Sequence, residues 1–321
     1  MSRSLSIAAL LLVFSCGHWP RAVRAAEGAP ADSSNSAPSP AQEVRLSRPL
    51  RVLTANIYNR TEPYVERMKL MRQQLSKLDP DVIGFQEAAW RPGADHQVKQ
   101  LLEGMSYFID HQCDGAKVTQ PTDVAVAVAS RWPISRRGLW TLPGSGVALA
   151  VEVAAPPPVG RFLFVSTVGA ARWPFDAEAN RERDAVAMDK MIRQTASPHG
   201  FPAIVAGDFD ATPDSACMRF LTGLQSLAGA STHYWDAWQA AGNRGPGYTW
   251  STENHYVREL ADRIFHLSEH HRRIDYILVG SPHHYRGRAR VVSCRVALNE
   301  PAGNVWPSDH FGVLAEVAGL P

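Results

Sequence analysis

A set of polar side chains that can bind a cation or exchange a proton stands where apolar runs of the sequence end or pause. They are Asn56 in LRVLTAN, Glu87 in DVIGFQE, Asp208 and Asp210 after AIVAG, Asp275 in RRIDYIL, and Asp309 and His310 in WPSDH. Polar groups at strand ends can converge on one rim of a sheet, where protein scaffolds usually present active sites. Carboxylate oxygens suit hard cations such as Mg²⁺ or Mn²⁺, and carboxylates and imidazoles are common general acids and bases. The pattern therefore indicates an active site, provided that the fold brings these positions together.

Apolar runs and their periodicity predict the elements that must position these residues. Strands are predicted at residues 50–57, 81–85, 124–129, 147–153, 162–166, 203–206, 273–279, 289–297 and 311–317, and helices at 65–78, 178–192 and 214–221. Many strands, few helices and no internal repeat favour a single α/β domain over residues 49–321. We expect a four-layer sandwich, in which two packed mixed β-sheets are flanked by helices.

The first 25 residues have the pattern of a signal peptide. Arg3 provides a positive start, and residues 8–14 form an apolar run that is too short to span a bilayer. Residues 26–48 begin with a stretch rich in Ala, Ser and Pro that has no apolar period, which predicts a disordered linker. The sequence thus predicts a protein exported to the periplasm or the extracellular space, with no transmembrane segment in the mature chain.

The four cysteines leave the mode of export and the redox state open. Cys16 follows Val-Phe-Ser, a loose likeness to a lipobox, so lipoprotein anchoring is an alternative to release. If Cys16 leaves with the signal peptide, Cys113, Cys217 and Cys294 remain, and an odd number means at least one free or intermolecular thiol. No CxxC pair is present, which argues against a zinc site built from cysteines.

The ordered motifs resemble the endonuclease/exonuclease/phosphatase superfamily. The resemblance runs from about residue 51 to residue 317 through TANI, GFQE, AVASRWPI, GDFDATPDS, YTW, RRIDYIL and SDHFGV. Any one of these motifs is weak evidence, whereas the ordered set is strong. The superfamily includes pancreatic-type deoxyribonucleases, abasic-site endonucleases, bacterial sphingomyelinases and inositol polyphosphate phosphatases. The resemblance therefore implies metal-dependent hydrolysis of phosphate esters.

The resemblance also assigns the cation site. Glu87 is the expected principal ligand of Mg²⁺ or Mn²⁺, and Asp309 is expected to lie close to the metal and to bind it directly or through water. Asn56 is expected to hold the metal ligands or a phosphate oxygen. Such a cation neutralises the nonbridging oxygens of the substrate phosphate.

The remaining roles concern the attacking water and the phosphate. By resemblance, Asp208 orients or deprotonates the water, and His310 contacts the phosphate. Asp275 is expected to pair with His310, fixing its tautomer and raising its pKa.

One departure from the family pattern concerns the leaving group. Many members carry a Thr-His-Leu after the strand that corresponds to residues 162–166, and this chain has Thr167-Val168-Gly169. The His is a candidate general acid in deoxyribonuclease-like members, and Val168 cannot donate a proton. Loss of a general acid costs about 10²–10⁴-fold in rate. Tyr107, Tyr234 and Tyr248 are alternative donors among which the sequence does not choose.

A second departure is Asp210, since Asn is commoner at this position of the family motif. An Asn amide donates a hydrogen bond to an oxyanion, which an ionised Asp cannot do. Asp210 is retained in the expected catalytic set, where it adds charge for a second metal or is held protonated beside Asp208.

Two functions from different classes follow from the sequence. The first is an exported, Mg²⁺-dependent phosphoesterase, with a phosphodiester favoured over a monoester and with nucleic acid or a phospholipid headgroup as substrate classes. The second is a degenerate binding protein without activity, for which Val168 and Asp210 argue. The net charge of +2 gives no strong pointer to a polyanionic partner, and we expect a monomer.

Overall fold

The computed structural model describes residues 45–94, 96–114, 120–171, 177–281 and 288–320. Its strands are β1 (Leu50–Asn56), β2 (Val82–Gln86), β3 (Phe108–His111), β4 (Ala127–Ser130), β5 (Ile134–Thr141), β6 (Val147–Ala154), β7 (Arg161–Val168), β8 (Ile204–Asp208), β9 (Tyr234–Asp236), β10 (Trp250–Ser251), β11 (His271–Arg272), β12 (Asp275–Gly280), β13 (Arg288–Ala297) and β14 (Gly312–Leu320). Its helices are α1 (Tyr64–Leu78), α2 (Gln97–Leu101), α3 (Glu178–Thr195), α4 (Ala216–Leu221), α5 (Ala237–Ala240) and α6 (His255–Phe265).

Two mixed β-sheets of six strands each form the centre of the described chain. The first has the strand order β13-β14-β1-β2-β4-β3, and the second has the order β5-β6-β7-β8-β12-β9. Strands β1 and β2 are parallel in the first sheet, as are β7 and β8 in the second, and the neighbouring pairs are antiparallel. The short pair β10-β11 forms a separate two-stranded sheet.

Side chains alternate between two cores along the central strands, as expected for sheets that are covered on both faces. In β1, Val52 belongs to the core between the sheets, whereas Leu53 packs with residues of α1 and α2. In β8, Ile204 belongs to the core between the sheets, whereas Val205 packs with residues of α3 and α4. The layers therefore run helix, sheet, sheet, helix, which confirms the predicted four-layer α/β sandwich.

The two sheets approach each other closely at β2 and β7. Gly84 leaves little room for a side chain, because a Cβ there would lie 3.2 Å from Ser166 Oγ. The Ser166 hydroxyl donates to the carbonyl oxygen of Phe85 at 3.0 Å and accepts from Gln86 Nε2 at 3.2 Å. Thr54 donates to Gln86 Oε1 at 3.1 Å. This buried chain of hydrogen bonds fixes the first sheet against the second.

Several elements are not predicted by the sequence patterns. Strand β5 has the sequence ISRRGLWT and is exposed along most of its length, so it carries little apolar periodicity. Helix α6 lies between β10 and β11 in a segment rich in His and charged residues. Strands β3 and β9 and helices α2 and α5 are only three to five residues long. Short or exposed elements depend on tertiary contacts that a local pattern does not contain.

The predicted signal peptide, residues 1–25, lies outside the described residues, as does most of the predicted linker, residues 26–48. The end of that linker contacts the domain. The Leu46 N–H donates to the carbonyl oxygen of Pro157 at 2.7 Å, and Arg48 forms an ion pair with Asp81 at 2.5 Å. The ordered contacts thus begin before residue 49, where the sequence places the start of the domain.

Two further expectations concern membrane spans and thiols. In the part of the chain that the structure describes, none of the helices has the length and apolar character needed to cross a bilayer.

Cys113, Cys217 and Cys294 are free and buried. Burial raises the pKa of Cys217 to about 11 and that of Cys294 to about 12, so both thiols stay protonated and unreactive near neutral pH.

Candidate active site

The fold brings the predicted site residues together at one rim of the sandwich. Strands β1, β2 and β8 end at this rim, and β12 begins there. Asn56 closes β1, Glu87 follows β2, Asp208 closes β8 with Asp210 two residues later, Asp275 opens β12, and Asp309 and His310 precede β14. The arrangement follows from the topology, because parallel strands of a sheet end at the same edge and their antiparallel neighbours begin there.

A cavity of about 380 Å³ opens at this rim. Its polar wall includes Glu87, Asp208, Asp309 and His310, and its apolar wall is formed by Val124, Val147, Val168, Ala170, Leu260 and Ile274. A larger groove of about 610 Å³ lies where β7 begins and β14 ends, between Arg161 and Leu320. None of the predicted site residues lines that groove, so the smaller cavity is the candidate active site.

The Asn56 side chain joins the two sheets at the cavity. Its amide nitrogen donates to Glu87 Oε1 at 3.1 Å and to Asp208 Oδ2 at 3.0 Å, so both amide protons are used. Its carbonyl oxygen accepts the backbone N–H of Tyr58 at 3.0 Å. Asn56 therefore sets the separation between a carboxylate of the first sheet and a carboxylate of the second.

The loops that hold these carboxylates contain residues in the left-handed region of backbone conformation. Tyr58, Asn59, Glu87 and Asp210 have φ angles of 52°, 37°, 50° and 44°. Asn59 Nδ2 donates to Glu87 Oε2 at 3.0 Å, and the Asn59 backbone N–H donates to the Glu87 carbonyl oxygen at 3.1 Å. Such conformations cost about 1–3 kcal/mol each and cluster at functional sites, where surrounding contacts maintain them.

Arg67 of α1 supplies the contacts that maintain the loop after β1. Its side chain is fully buried, and its guanidinium donates to the carbonyl oxygens of Ile57, Tyr58, Asn59, Thr61 and Pro307 at 2.9–3.2 Å. The first four carbonyls belong to the loop that carries Asn59, and the fifth lies two residues before Asp309. One arginine therefore ties together the two segments that flank the expected metal ligands.

The electrostatics of Glu87 and Asp309 fit a bound cation. Burial raises the pKa of both carboxyl groups, and repulsion from Asp309 raises the pKa of Glu87 further. Asn56, Asn59 and Ser308 donate hydrogen bonds to these carboxylates but do not remove the repulsion. A divalent cation between these two carboxylates would do so, and all-oxygen donors are the ligands that Mg²⁺ and Mn²⁺ prefer.

His310 lies between three carboxylates. Its Nδ1 is 3.0 Å from Asp275 Oδ2, the pair that the resemblance predicts, and its Nε2 is 3.9 Å from Asp208 Oδ2. Burial opposes the imidazolium charge, but the nearby Asp275, Asp208 and Asp309 outweigh burial and raise the pKa of His310 well above its usual value. The 3.9 Å separation is too long for a direct hydrogen bond.

Asp208 is the carboxylate with the best position for proton transfer near neutral pH. Burial, Asp275 and Asp210 raise its pKa and the positive His310 lowers it, and together they place the pKa of Asp208 at about 7. The backbone N–H of Asp210 donates to Asp208 Oδ1 at 2.9 Å, so this oxygen is held in place. A general base is most effective when its pKa lies near the working pH.

Asp208, Asp275 and His310 also place one ligand atom each within 4.8 Å of one another, a grouping that resembles a metal site. His310 Nδ1 is engaged by Asp275, which leaves Nε2 as the ring nitrogen that faces Asp208. The cavity therefore offers two groups of possible cation ligands, Glu87 with Asp309 and this grouping, which is called the triad below.

Val168 ends β7 directly beside Asp208 and lines the cavity, where the family pattern has His. The tyrosines named as alternative proton donors do not replace it. The Tyr107 hydroxyl donates to the Pro80 carbonyl oxygen at 2.6 Å, and the Tyr234 hydroxyl donates to Asp189 at 3.1 Å. Tyr248 is 41 % exposed and stacks on His271. Among the described residues that line the cavity, none is a tyrosine.

Asp210 has a partner that the sequence reasoning does not foresee. Its Oδ1 lies 2.7 Å from Arg272, which follows β10 and α6 and also lines the cavity. The contact places a buried guanidinium beside the Asp210 carboxylate. The sequence shows the doublet Arg272-Arg273 at the start of an apolar strand but does not identify the partner of either arginine.

The chain is similar to known proteins in its sequence profile and in its fold. Residues 53–310 match the sequence profile described as the Endonuclease/Exonuclease/phosphatase family. None of the curated proteins matches the chain.

Similar folds occur in solved structures. D. rerio TDP2, humanized by 14 mutations, is 15 % identical with a TM-score of 0.60, covering 84 % of this chain and 98 % of its own. The human nocturnin catalytic domain with bound sulfate is 19 % identical with a TM-score of 0.59, covering 86 % and 97 %. An endonuclease/exonuclease/phosphatase from Bacteroides vulgatus is 18 % identical with a TM-score of 0.61, covering 84 % and 99 %. At these identities the likeness concerns the fold alone.

Replacement of Arg67 tests its role in holding the site loops. We expect Arg67→Met to lower the free energy of unfolding by about 3 kcal/mol or more, because several buried carbonyl groups lose their donor. Arg72→Met is the matched control on the same helix, and we expect a loss below about 1 kcal/mol. Among the described residues, Arg72 donates to the carbonyls of Leu101 and Glu103 near the surface. Urea unfolding measures both, and equal losses in the two variants would contradict this role.

Proposed function

Because this chain belongs to the endonuclease/exonuclease/phosphatase family, we propose that it is a divalent-metal-dependent hydrolase of phosphoric esters that acts on phosphodiesters. The observation that carries the proposal is the convergence of two carboxylates with the triad of Asp208, His310 and Asp275 in one cavity. The two carboxylates are the half-buried Glu87 and the buried Asp309, whose charge raises the pKa of Glu87. A binding protein has no need for a buried group of charges with shifted pKa values, which are a mark of catalytic sites.

In this proposal Glu87 and Asp309 hold Mg²⁺ or Mn²⁺. When bound, the cation supplies positive charge to the nonbridging phosphate oxygens and to the oxygen of the leaving group. The protein fixes the ligands in advance. Asn56 and Asn59 each donate to one oxygen of Glu87, and Ser308 donates to Asp309 Oδ1.

Asp208 and His310 are the residues that accept and donate protons in this proposal. Asp208 accepts the proton of the attacking water, and the Asn56 amide and the Asp210 N–H hold its two oxygens in place. His310 donates its Nε2–H to a phosphate oxygen, while Asp275 accepts its Nδ1–H and keeps the ring charged. The 3.9 Å between His310 Nε2 and Asp208 Oδ2 provides room for an oxygen that contacts both groups.

The apolar wall of the cavity indicates what kind of leaving group the substrate has. Val168 cannot protonate a leaving group, and Val147, Val124 and Leu260 in the same cavity are also apolar. We propose that the leaving group, or the part of the substrate next to it, is apolar, or that the leaving group departs without protonation by a general acid. Nucleic acid and phospholipid headgroups are the two substrate classes to be compared, and export remains a prediction of the N-terminal sequence.

The raised pKa values predict how pH and metal act together on stability. Protonation of Glu87, Asp208 and Asp309 stabilises the metal-free fold fully below about pH 4, and this stabilisation is lost as pH rises through the folded-state pKa values, about 7 for Asp208. Mg²⁺ must displace the same protons, so its stabilising effect grows with pH. At a Mg²⁺ concentration 100 times the Kd at pH 8, we expect the unfolding temperature to rise by roughly 5 °C at pH 8. The same Mg²⁺ concentration is expected to raise it by much less at pH 5.

Thermal unfolding with and without Mg²⁺ at both pH values measures this effect. Glu87→Gln is expected to abolish the Mg²⁺ shift, whereas Glu66→Gln, an exposed carboxylate on α1, is expected to leave it unchanged. A shift of equal size at pH 5 and pH 8, or a shift that survives in Glu87→Gln, would show that the cation binds elsewhere.

Hydrolysis assays test the activity itself. The purified protein would be tested on DNA, RNA, sphingomyelin and an aryl phosphodiester, each with Mg²⁺, Mn²⁺ or EDTA. We expect metal-dependent turnover on at least one substrate and a loss of about 10²–10⁴-fold in both Asp208→Ala and His310→Ala. Glu66→Ala serves as the control. The preferred substrate would identify the subclass. No turnover on any substrate by a folded, metal-binding protein would favour the binding-protein alternative, for which Val168 argues.

A further inference from the structure

Arg272 is a buried cation in the wall of the candidate active site. It lies on β11, where its backbone pairs with Trp250 of β10, and its side chain is only 5 % exposed. It lines the same cavity as Asp208, Asp309 and His310. Its guanidinium carbon lies 5.8 Å from the centroid of the Trp250 ring. The residue is therefore fixed in position beside the groups to which the proposed function assigns the chemistry.

Asp210 orients the Arg272 guanidinium. One terminal nitrogen of Arg272 lies 2.7 Å from Asp210 Oδ1 and 2.9 Å from the Asp210 carbonyl oxygen. The Nε–H is buried without a hydrogen-bond partner, with Glu269 at 3.5 Å. An arginine has five N–H donors in a rigid plane, and these contacts occupy only part of them. Arg272 therefore retains donors for a further acceptor in the cavity that it lines.

We propose that Arg272 binds a nonbridging oxygen of the scissile phosphate and stabilises its charge in the transition state. This inference rests on the proposed function and adds a catalytic residue to it. Asn, which is commoner at position 210 in the family motif, carries an amide that can donate to an oxyanion, and an ionised Asp210 cannot. Here Asp210 positions Arg272, and Arg272 supplies the donor. The ion pair carries no net charge, so its contribution is a pre-oriented, charge-assisted hydrogen bond.

A purely structural role for the Asp210–Arg272 pair is the competing explanation, and the next residue provides a matched control. Arg273 is also 5 % exposed and forms an ion pair of the same length, 2.7 Å, with Asp236. Its guanidinium lies over the Tyr276 ring and does not line the cavity. Loss of either arginine leaves a carboxylate without its partner, but only Arg272 is placed to contact substrate.

The first experiment compares Arg272→Met with Arg273→Met in the full chain, using an aryl phosphodiester with Mg²⁺ below the unfolding temperature of each variant. We expect Arg272→Met to lower kcat per folded molecule by about 10²-fold, the usual cost of losing one oxyanion donor. We expect Arg273→Met to lower stability while kcat stays within a few-fold of wild type. Similar kcat values in the two variants would overturn the proposal.

Two double variants separate donation from neutralisation of Asp210. Both Asp210→Asn and Asp210→Ala, combined with Arg272→Met, remove the carboxylate that has lost its arginine, but only Asn restores a donor. We expect the Asn variant to recover at least about tenfold in kcat over Arg272→Met and the Ala variant to remain low. Equal recovery would show that Arg272 acts only as a counter-ion.

Calorimetry measures the binding of inorganic phosphate in the presence of Mg²⁺, and this measurement does not require that the protein turns over a substrate. We expect Arg272→Met to weaken phosphate binding about tenfold, equivalent to one charge-assisted hydrogen bond, and Arg273→Met to leave it unchanged. If wild type hydrolyses no ester, the proposed function fails, and this titration still decides whether Arg272 contacts phosphate. Unchanged binding in Arg272→Met would overturn the inference even if wild type is an active enzyme.

Discussion

The site depends on one side chain, the amide of Asn56, which donates to Glu87 and to Asp208 across the boundary between the two sheets. These carboxylates belong to different layers of the sandwich, so their separation is fixed only if the sheets keep a constant spacing and register. The hydrogen-bond chain of Thr54, Gln86 and Ser166 enforces that spacing directly beneath the rim. The interior of the sandwich therefore determines the geometry of the chemistry at its edge.

The second constraint on the site is the burial of several charged side chains. The fold buries several carboxylates around a single imidazole, and desolvation raises the pKa of Glu87, Asp208 and Asp309. Burying charges without full compensation destabilises a protein, and active sites often retain such groups because function requires them. Arg67 offsets part of this cost by holding the flanking loops through five backbone carbonyls. A divalent cation would complete the compensation, which links metal binding to the stability of the folded chain.

The sequence predicts the sandwich and the meeting of its polar residues because both follow from local patterns. Apolar runs mark the strands, and Asn56 and Glu87 stand at the ends of the neighbouring strands β1 and β2, while Asp208 ends β8 in the other sheet. Arg67 leaves no such signal, since its partners are backbone carbonyls scattered between residues 57 and 307. Asp210 pairs with Arg272 although α6 lies between them in the chain. The apolar pattern of the sequence does not predict that helix either. Contacts of this kind become visible only when the tertiary fold is known.

The measurement that tests the account most directly is the position of Mn²⁺ in crystals of the protein, located by its anomalous scattering. The account predicts one peak within about 2.3 Å of a Glu87 carboxylate oxygen, beside Asp309, and its loss in Glu87→Gln. A peak bonded to His310 among Asp208 and Asp275 would contradict the assignment of these residues as a proton-transfer triad. The absence of any peak in the cavity at saturating Mn²⁺ would contradict the proposal of metal-dependent catalysis.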